Sequence, residues 1–166
     1  MKDLMSEGQS TVFFERQYFT QWWVWLLLLG LLTLPLYGLY VQLMQDRPWG
    51  NNPMSDLGLV VFTISMAGFV YFFRWIRMDT VCDQEGVRIK FRPFLNKRVL
   101  WKDIADARIV DYGFVGYGIR YGSKYGTVYN VKGRLGLAVI TKNGRKFVIG
   151  TQRAQELEAV ATALIK

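Results

Sequence analysis

Two long stretches without charge constrain this chain more than any other feature. The first runs from Trp22 to Met44 and contains four consecutive leucines, and the second runs from Leu57 to Phe73 between Asp56 and Arg74. A helix needs about 20 consecutive apolar residues to cross the hydrocarbon core of a bilayer. The sequence therefore predicts transmembrane helices over residues 22–44 and 57–76, joined by a short external loop over residues 45–56.

A soluble helix pair and a signal peptide both fit the apolar stretches less well. A pair of core helices in a soluble protein would need a large polar surface around it, and a chain of 166 residues has too few polar residues to supply one. A cleavable signal peptide has an apolar region of about 7–15 residues followed by small residues, and neither feature is present. The stretches are predicted to form a helical hairpin in a membrane.

The distribution of lysine and arginine predicts the orientation of this hairpin, because such residues are enriched on the cytoplasmic side of a membrane. The connecting loop contains only Arg47. The segments that flank the other ends of the spans carry seven basic residues: Lys2, Arg16, Arg74, Arg77, Arg88, Lys90 and Arg92. We therefore expect both termini in the cytoplasm and the protein in the inner (cytoplasmic) membrane. Tryptophans at the start of the first span are typical of the interface on that same side.

Residues 1–21 are predicted to form a cytoplasmic or interfacial N-terminal segment. Within it, the aromatic residues Phe13, Phe14, Tyr18 and Phe19 have a spacing that places most of them on one face of a helix. This pattern predicts a helix over residues 11–21. It is either a separate interfacial helix or an early start of the first span.

From residue 79 onward the pattern changes to short strands. Val87, Ile89 and Phe91 alternate with basic residues, and Asn143-Gly144 is a strong signal for a tight turn between two strands. A final amphipathic helix is predicted over residues 152–165, with an apolar stripe that includes Leu157 and Ala161. About seven strands followed by a helix predict an all-β barrel over residues 79–166 that is capped by the C-terminal helix.

Composition removes several classes of chemistry. The chain has no histidine and only one cysteine, Cys82, so it lacks the commonest acid–base residue and any cysteine-rich metal site. The glycines at 116, 118 and 122 have the wrong spacing for a dinucleotide-binding loop. We therefore expect no enzyme activity, no cofactor, no metal and no small-molecule substrate. Membrane attachment and the lack of a known motif argue against nucleic acid as a partner.

Several short motifs resemble those of one family. They are Gly-Tyr-Gly-Ile-Arg at 116–120, Tyr-Asn-Val-Lys-Gly at 129–133, Phe-Val-Ile-Gly-Thr-Gln at 147–152 and Trp-Lys-Asp-Ile at 101–104. Together with the two predicted spans, they resemble membrane-anchored bacterial proteins with a pleckstrin-homology-like domain. The resemblance covers roughly residues 79–165. It implies a strongly bent barrel of seven strands closed by a C-terminal helix, and it implies no catalytic residue.

Two groups of residues are candidates for binding. The first is a predicted basic patch of five residues: Arg88, Lys90, Arg92, Lys97 and Arg98. Such a patch attracts an anionic membrane surface, at about 1 kcal/mol for each basic residue. In the family that this chain resembles, eukaryotic members bind inositol phosphates through a lysine on the first strand and a basic-x-arginine pair on the second. Lys90-Phe91-Arg92 matches that pair, but residues 79–83 contain no lysine, which argues against specific phosphoinositide binding.

The second group lies in a segment rich in tyrosine and glycine, residues 112–133, which we call the tyrosine hairpin. Its candidate partner-binding residues are Tyr117, Arg120, Tyr121, Lys124, Tyr125, Tyr129 and Lys132. Tyrosine, glycine and charged residues together are typical of adaptable recognition surfaces. The favoured hypothesis is a membrane-anchored interaction or scaffold module whose cytoplasmic domain contacts other membrane proteins or a second copy. The alternative is a lipid-binding or lipid-handling protein that uses the basic patch on membrane lipids.

Overall fold

The structure, a computed structural model, describes residues 12–113 and 116–165. The chain divides into two compact units. The first, which we call the helical hairpin, comprises Thr20–Trp75. The second, which we call the two-sheet domain, is formed by the described residues up to Phe19 together with the described residues from Ile76 onward. The helical hairpin is therefore an insertion in the chain of the two-sheet domain.

The helical hairpin contains the two predicted spans. Helix α1 covers Trp22–Leu39 and continues as a π-helical turn over Tyr40–Met44, and helix α2 covers Asp56–Trp75. Both are long and apolar enough to cross a membrane, and large side chains such as Leu26 and Ile64 are about two-thirds exposed. At the loop, Gln42 Nε2 donates to Asp56 Oδ1 at 2.6 Å. The predicted spans are thus confirmed as helices, with boundaries that differ by one residue at most.

The two-sheet domain has nine strands in the described part of the chain. Their bounds are β1 Phe13–Tyr18, β2 Arg77–Cys82, β3 Gly86–Arg92, β4 Leu95–Leu100, β5 Ile104–Asp111, β6 Gly118–Ser123, β7 Gly126–Asn130, β8 Leu135–Thr141 and β9 Lys146–Gly150. The first sheet has the order β1-β2-β3-β4, and the second has the order β5-β8-β9-β7-β6. A 3-10 turn over Trp101–Asp103 joins them. Its Trp101 is buried, and the indole Nε1 donates to the carbonyl oxygen of Asp83 at 2.9 Å.

The prediction of a closed barrel with about seven strands is wrong. The nine strands form two separate sheets, and each sheet ends in its own edge strands. The sheets do not close because β4 and β5 are joined by the turn at Trp101 and do not pair with each other. The core lies between them and contains fully buried side chains from both sheets, among them Val87, Ile89, Val139 and Ile149.

The prediction of a helix over residues 11–21 is also wrong, because Phe13–Tyr18 forms strand β1. This strand pairs antiparallel with β2, from Phe13 opposite Cys82 to Tyr18 opposite Arg77. Its buried residues are Phe13, Glu15 and Gln17, so two of the three inward positions are polar. An alternation with polar residues inside gives no apolar signal of period two, which explains the wrong prediction.

The polar residues of β1 bond to the end of β9 in the other sheet. Glu15 Oε1 accepts from the backbone N–H of Gln152 at 2.7 Å, and Glu15 Oε2 accepts from the Thr151 hydroxyl at 2.5 Å. Gln17 Nε2 donates to the carbonyl oxygen of Gly150 at 2.8 Å. Strand β1 therefore links the two sheets by side-chain hydrogen bonds from Glu15 and Gln17.

Helix α3 covers Ala154–Leu164 and confirms the predicted C-terminal helix. Leu157 and Ala161 are fully buried, and Val160 and Leu164 are half-buried. The helix contacts β1, β5 and β8, so it packs on strands of both sheets. The predicted turn at Asn143-Gly144 is confirmed between β8 and β9, where Gly144 has a φ of 81°.

Candidate functional site

The outer face of the first sheet gathers most of the predicted basic patch. Because Val87, Ile89 and Phe91 are buried, the residues between them lie on the opposite face of β3. The strand register adds three arginines from β1, β2 and β4 to that face. We call this set the outer basic face, and it consists of Arg16, Arg77, Arg88, Lys90, Arg92 and Arg98.

One fully buried carboxylate, Asp79, lies in the middle of the outer basic face. Arg16 Nε is 2.7 Å from Asp79 Oδ1, Arg77 Nε is 3.6 Å from Oδ2 and Arg92 Nε is 3.8 Å from Oδ2. The hydrogen bond to Asp79 raises the pKa of Arg16 above its ordinary value. Asp79 has no exposed surface, so its carboxylate is stable there because several guanidinium groups surround it.

A second group of ion pairs lies at the end of β4. Arg98 Nη2 is 3.1 Å from Asp83 Oδ2 and 3.0 Å from Glu85 Oε2. Asp83 also accepts from the backbone N–H groups of Glu85 and Gly86, at 2.9 and 2.8 Å, which organises the turn between β2 and β3. With the pairs at Asp79, the arginines with a carboxylate partner on the outer basic face include Arg16, Arg77, Arg92 and Arg98. Much of its charge is therefore compensated within the sheet.

Lys97 does not share this face with the rest of the predicted basic patch. It pairs with Ile89, so it lies on the inner side of β4 and is half-buried. Its Nζ is 3.8 Å from the ring centroid of Phe147 and 5.5 Å from that of Tyr129. Burial lowers the pKa of Lys97, and the nearby charge of Arg145 lowers it further. The five predicted residues are thus divided between two sides of the first sheet.

The tyrosine hairpin forms strands β6 and β7, and several of its tyrosines belong to the core. Tyr129 is 5% exposed, and its ring lies 6.3 Å from that of Phe147. Tyr125 is half-buried and packs on a cluster in the second sheet. Tyr117 is half-buried and makes an edge contact with Phe19 at 6.4 Å. Three of the seven predicted binding residues therefore have packing roles.

The other four residues of that prediction are exposed. Tyr121 is 79% exposed on β6, which is an edge strand of the second sheet. Arg120, Lys124 and Lys132 are also exposed. We call these four residues the exposed hairpin residues. A large aromatic side chain so open to water next to cations is a typical composition for a recognition surface.

Sequence reasoning did not find the roles of Arg16 and Asp79. Both lie on strands whose pairing crosses the whole helical hairpin, and no local pattern indicates which strand is the partner of β1. The only available signal was that Arg16 contributes to the basic residues near the first span. Within the described residues, no group of three or more cysteine, aspartate or glutamate side chains is placed to hold a metal ion.

Comparison of the chain with protein-family models and with curated proteins found no match. The resemblance to membrane-anchored proteins with a pleckstrin-homology-like domain stays a prediction from the sequence motifs.

Proposed function

We propose that this protein is a membrane-anchored interaction module, in which the helical hairpin spans the membrane and the two-sheet domain binds other membrane-associated proteins. The length and apolar surface of α1 and α2 support the anchor. The pairing of Tyr18 with Arg77 supports the topology, because these residues adjoin the start of α1 and the end of α2 along the chain. If the hairpin spans the bilayer, β1 and the rest of the domain are on the same side.

The charge distribution favours the cytoplasm as that side. Seven basic residues flank the ends of the spans that adjoin the domain, and only Arg47 lies in the loop between them. Single cysteines introduced by Asn51→Cys and Asn143→Cys in a Cys82→Ala background test this orientation. We expect an impermeant maleimide to label position 51 in intact cells and position 143 only after permeabilisation. The opposite pattern would disprove it.

The single observation that carries the interaction proposal is the exposure of Tyr121. It is 79% exposed on an edge strand of a domain that is connected to the hairpin at two points of the chain. The three cations among the exposed hairpin residues favour an acidic partner, since complementary charge speeds association and excludes wrong partners. We therefore propose an acidic segment of another membrane-associated protein as the ligand of this surface.

Site-specific photocrosslinking in native membranes tests this surface. A photoreactive phenylalanine at position 121 should give a discrete crosslinked product, and Arg120→Glu with Lys124→Glu should abolish it. The same amino acid at position 94 is the matched control, because Phe94 is also an exposed aromatic residue of the two-sheet domain but lies in the turn between β3 and β4. Equal products at positions 94 and 121, or products insensitive to charge reversal, would contradict the proposal.

A second candidate function is binding of the outer basic face to anionic headgroups. The observation that favours it is the alignment of six cations on four adjacent strands. Arg88→Gln and Lys90→Gln together should weaken binding to acidic vesicles by about 2 kcal/mol, roughly thirtyfold, if each charge contributes about 1 kcal/mol. The matched control removes two exposed charges elsewhere, with Lys102→Gln and Arg108→Gln.

The vesicle experiment uses residues 12–19 joined to residues 76–166 by a short linker, because β1 belongs to the domain. Its fold is first checked by circular dichroism. Tight binding that is lost only in the variant with Arg88→Gln and Lys90→Gln would favour the lipid function. Weak binding, or equal loss in both variants, would favour the protein partner instead.

A further inference from the structure

A cleft opens where the two sheets separate. It has a volume of about 380 Å³ and lies between β4, an edge strand of the first sheet, and the turn that joins β8 to β9 in the second. Sites for small ligands usually have volumes of about 300–1,000 Å³. The lining residues that matter here are Lys97, Arg98, Lys142, Asn143, Arg145 and Phe147. A closed barrel would not have this opening.

The charge of the cleft is strongly positive. Four cations line it together with one carboxylate, that of Asp103, and one of the four, Arg98, is paired with Asp83 and Glu85. Within the described residues, Lys97, Lys142 and Arg145 form no ion pair, in contrast to the arginines around Asp79. Neighbouring cations without a counter-charge repel one another, and this repulsion is larger where water is partly excluded. An anion in the cleft would remove it.

Lys97 is the cation that the fold positions most firmly. It is half-buried on the inner side of β4 and lies over the face of Phe147, with Nζ 3.8 Å from the ring centroid. Its pKa is lowered by burial and by the charge of Arg145. Contact with an aromatic face stabilises an ammonium group only partly, and it leaves N–H donors for another acceptor. Lys97 can therefore donate into the cleft.

The turn on the other side of the cleft is held by its own hydrogen bonds. The Thr141 hydroxyl lies 2.6 Å from Asn143 Oδ1 and 3.0 Å from the carbonyl oxygen of Arg145. The backbone N–H of Lys142 donates to the carbonyl oxygen of Asp103 at 2.8 Å, which ties the turn to the connection between the sheets. The backbone that carries Lys142 and Arg145 is therefore restrained next to Lys97, which favours a preformed site.

We propose that this cleft binds a phosphate monoester, carried either by a soluble small molecule or by a lipid headgroup. A monoester has up to two negative charges and three acceptor oxygens, which suit the planar guanidinium of Arg145 together with the ammonium groups of Lys97 and Lys142. A ligand with a single carboxylate would neutralise less of the positive charge of the cleft. This inference does not rest on the proposed protein partner, which concerns the exposed hairpin residues on another strand.

The test uses the full chain in nanodiscs of zwitterionic lipid, with isotope labels on the lysine side chains. Inorganic phosphate is titrated at constant ionic strength, with chloride as the balancing anion, and the Lys97 ammonium resonance is followed by NMR. We expect a saturable shift of this resonance and a rise in the pKa of Lys97, because a bound anion favours the charged lysine. Lys97→Arg assigns the resonance.

Arg145→Gln should weaken phosphate binding at least tenfold without changing the unfolding temperature, because Arg145 is exposed. Arg108→Gln, which removes an exposed arginine outside the cleft, is the matched control and should bind like the wild type. A Lys97 resonance that does not respond to phosphate, or one that responds equally in both variants, would overturn the proposal unless the lipid experiment succeeds.

The lipid experiment distinguishes the two sources of the phosphate. Nanodiscs with phosphatidic acid, which carries a monoester, are compared with nanodiscs with phosphatidylglycerol, which carries a diester. A response of Lys97 to phosphatidic acid alone, lost in Arg145→Gln, assigns the site to a lipid headgroup. A response to inorganic phosphate in zwitterionic nanodiscs without a response to phosphatidic acid assigns it to a soluble ester. No response in either experiment rejects the proposal.

Discussion

The outer faces of the two sheets are covered in different ways. On the first sheet, arginines from β1, β2 and β3 surround the buried carboxylate of Asp79. On the second sheet, a buried cluster of Tyr112, Val128, Ala138 and Val148 is completed by the half-buried Tyr125. The ring of Tyr112 lies against the backbone of Gly136 and Gly150, which are paired with each other, and a Cβ on either glycine would approach it within 3.0 Å.

The difference shows how one sequence pattern can serve two purposes. Long amphipathic side chains can lie over a sheet and exclude water from it, and arginine and tyrosine are both suited to that role. The basic residues and the tyrosines, which in the sequence indicate binding, are therefore partly structural here. The residues that we propose for binding are those that do not take part in packing, namely the exposed hairpin residues and the cations of the cleft.

Removal of β1 should have the largest effect on the stability of the domain, because β1 is an edge strand of the first sheet and contributes Arg16 to its outer face. The loss of the buried Phe13 is worth about 1.5–3 kcal/mol, and the loss of each hydrogen bond to charged Glu15 is worth about 1.5–3 kcal/mol. The sum is comparable with the whole stability of a typical domain, about 5–15 kcal/mol. We expect residues 76–166 alone to show no cooperative thermal transition by circular dichroism.

The matched protein for this experiment restores β1 without the membrane segment. It joins residues 12–19 to residues 76–166 by a short Gly/Ser linker, which is feasible because Tyr18 and Arg77 are opposite each other. This protein should unfold cooperatively. If both proteins unfolded with the same midpoint, β1 would not be a structural part of the first sheet.

Two substitutions that nearly preserve the shape of the side chain compare the outer faces of the two sheets directly. Asp79→Asn leaves three arginines without their carboxylate, and we expect a loss of about 3 kcal/mol, at the low end of the range for a broken buried pair because the arginines still reach water. Tyr112→Phe keeps the ring on the glycines and should cost less than about 1 kcal/mol. Urea unfolding measures both values. Equal losses would show that charge and ring packing contribute alike.

Alkaline pH provides a third comparison, between a buried thiol of the first sheet and a buried phenol that packs on the second. Burial raises the pKa of Cys82 in the first sheet to about 12, and it raises the pKa of Tyr112, which follows β5 and packs on the second sheet, to about 12. In the unfolded chain a thiol ionises at about pH 8.5 and a phenol at about pH 10. Above these values the unfolded state binds fewer protons than the native state, so stability falls as pH rises towards about 12.

The contribution of each group to the pH dependence of stability can be measured by substituting that residue alone. At pH 10 the term from Cys82 should amount to about 2 kcal/mol, since one unit of pKa difference corresponds to about 1.4 kcal/mol. Cys82→Ala should therefore flatten the decrease between pH 8.5 and 12, and Tyr112→Phe should flatten it only above pH 10. Urea unfolding between pH 7 and 11 measures the difference from the wild type. A wild-type curve that runs parallel to that of Cys82→Ala would refute the role of the thiol.

The smallest effect is expected at Tyr121. Because this side chain is 79% exposed, Tyr121→Ala should change the free energy of unfolding by no more than about 0.5 kcal/mol. Tyr129→Ala, on the same hairpin, should cost about 3–5 kcal/mol because its ring is buried. Thermal unfolding of the two variants decides between them, and a similar loss for both would show that Tyr121 is also needed for packing.

Much of the fold was predictable wherever the signal is local. The two apolar helices agree with the predicted spans because length and lack of charge suffice to identify them. The turn at Asn143-Gly144 and the buried stripe of α3 follow from short-range patterns. The candidate sites were predictable only in part. Alternation placed Arg88, Lys90 and Arg92 on one face, but it did not show that Arg92 contacts Asp79 or that Lys97 faces the interior.

The sequence by itself determined where the chain is apolar enough to form two long helices and where it alternates as strands. Only the tertiary structure decided that β1 joins β2 across the helical hairpin, that the sheets remain open at β4, and that Lys97 lies beside Arg145 in a cleft. The physical reason is that periodicity reflects the environment of one segment. The partner of a strand, and the charges that meet in a cleft, depend on segments far apart in the chain, whose pairing is set by the burial and hydrogen bonding of the whole domain.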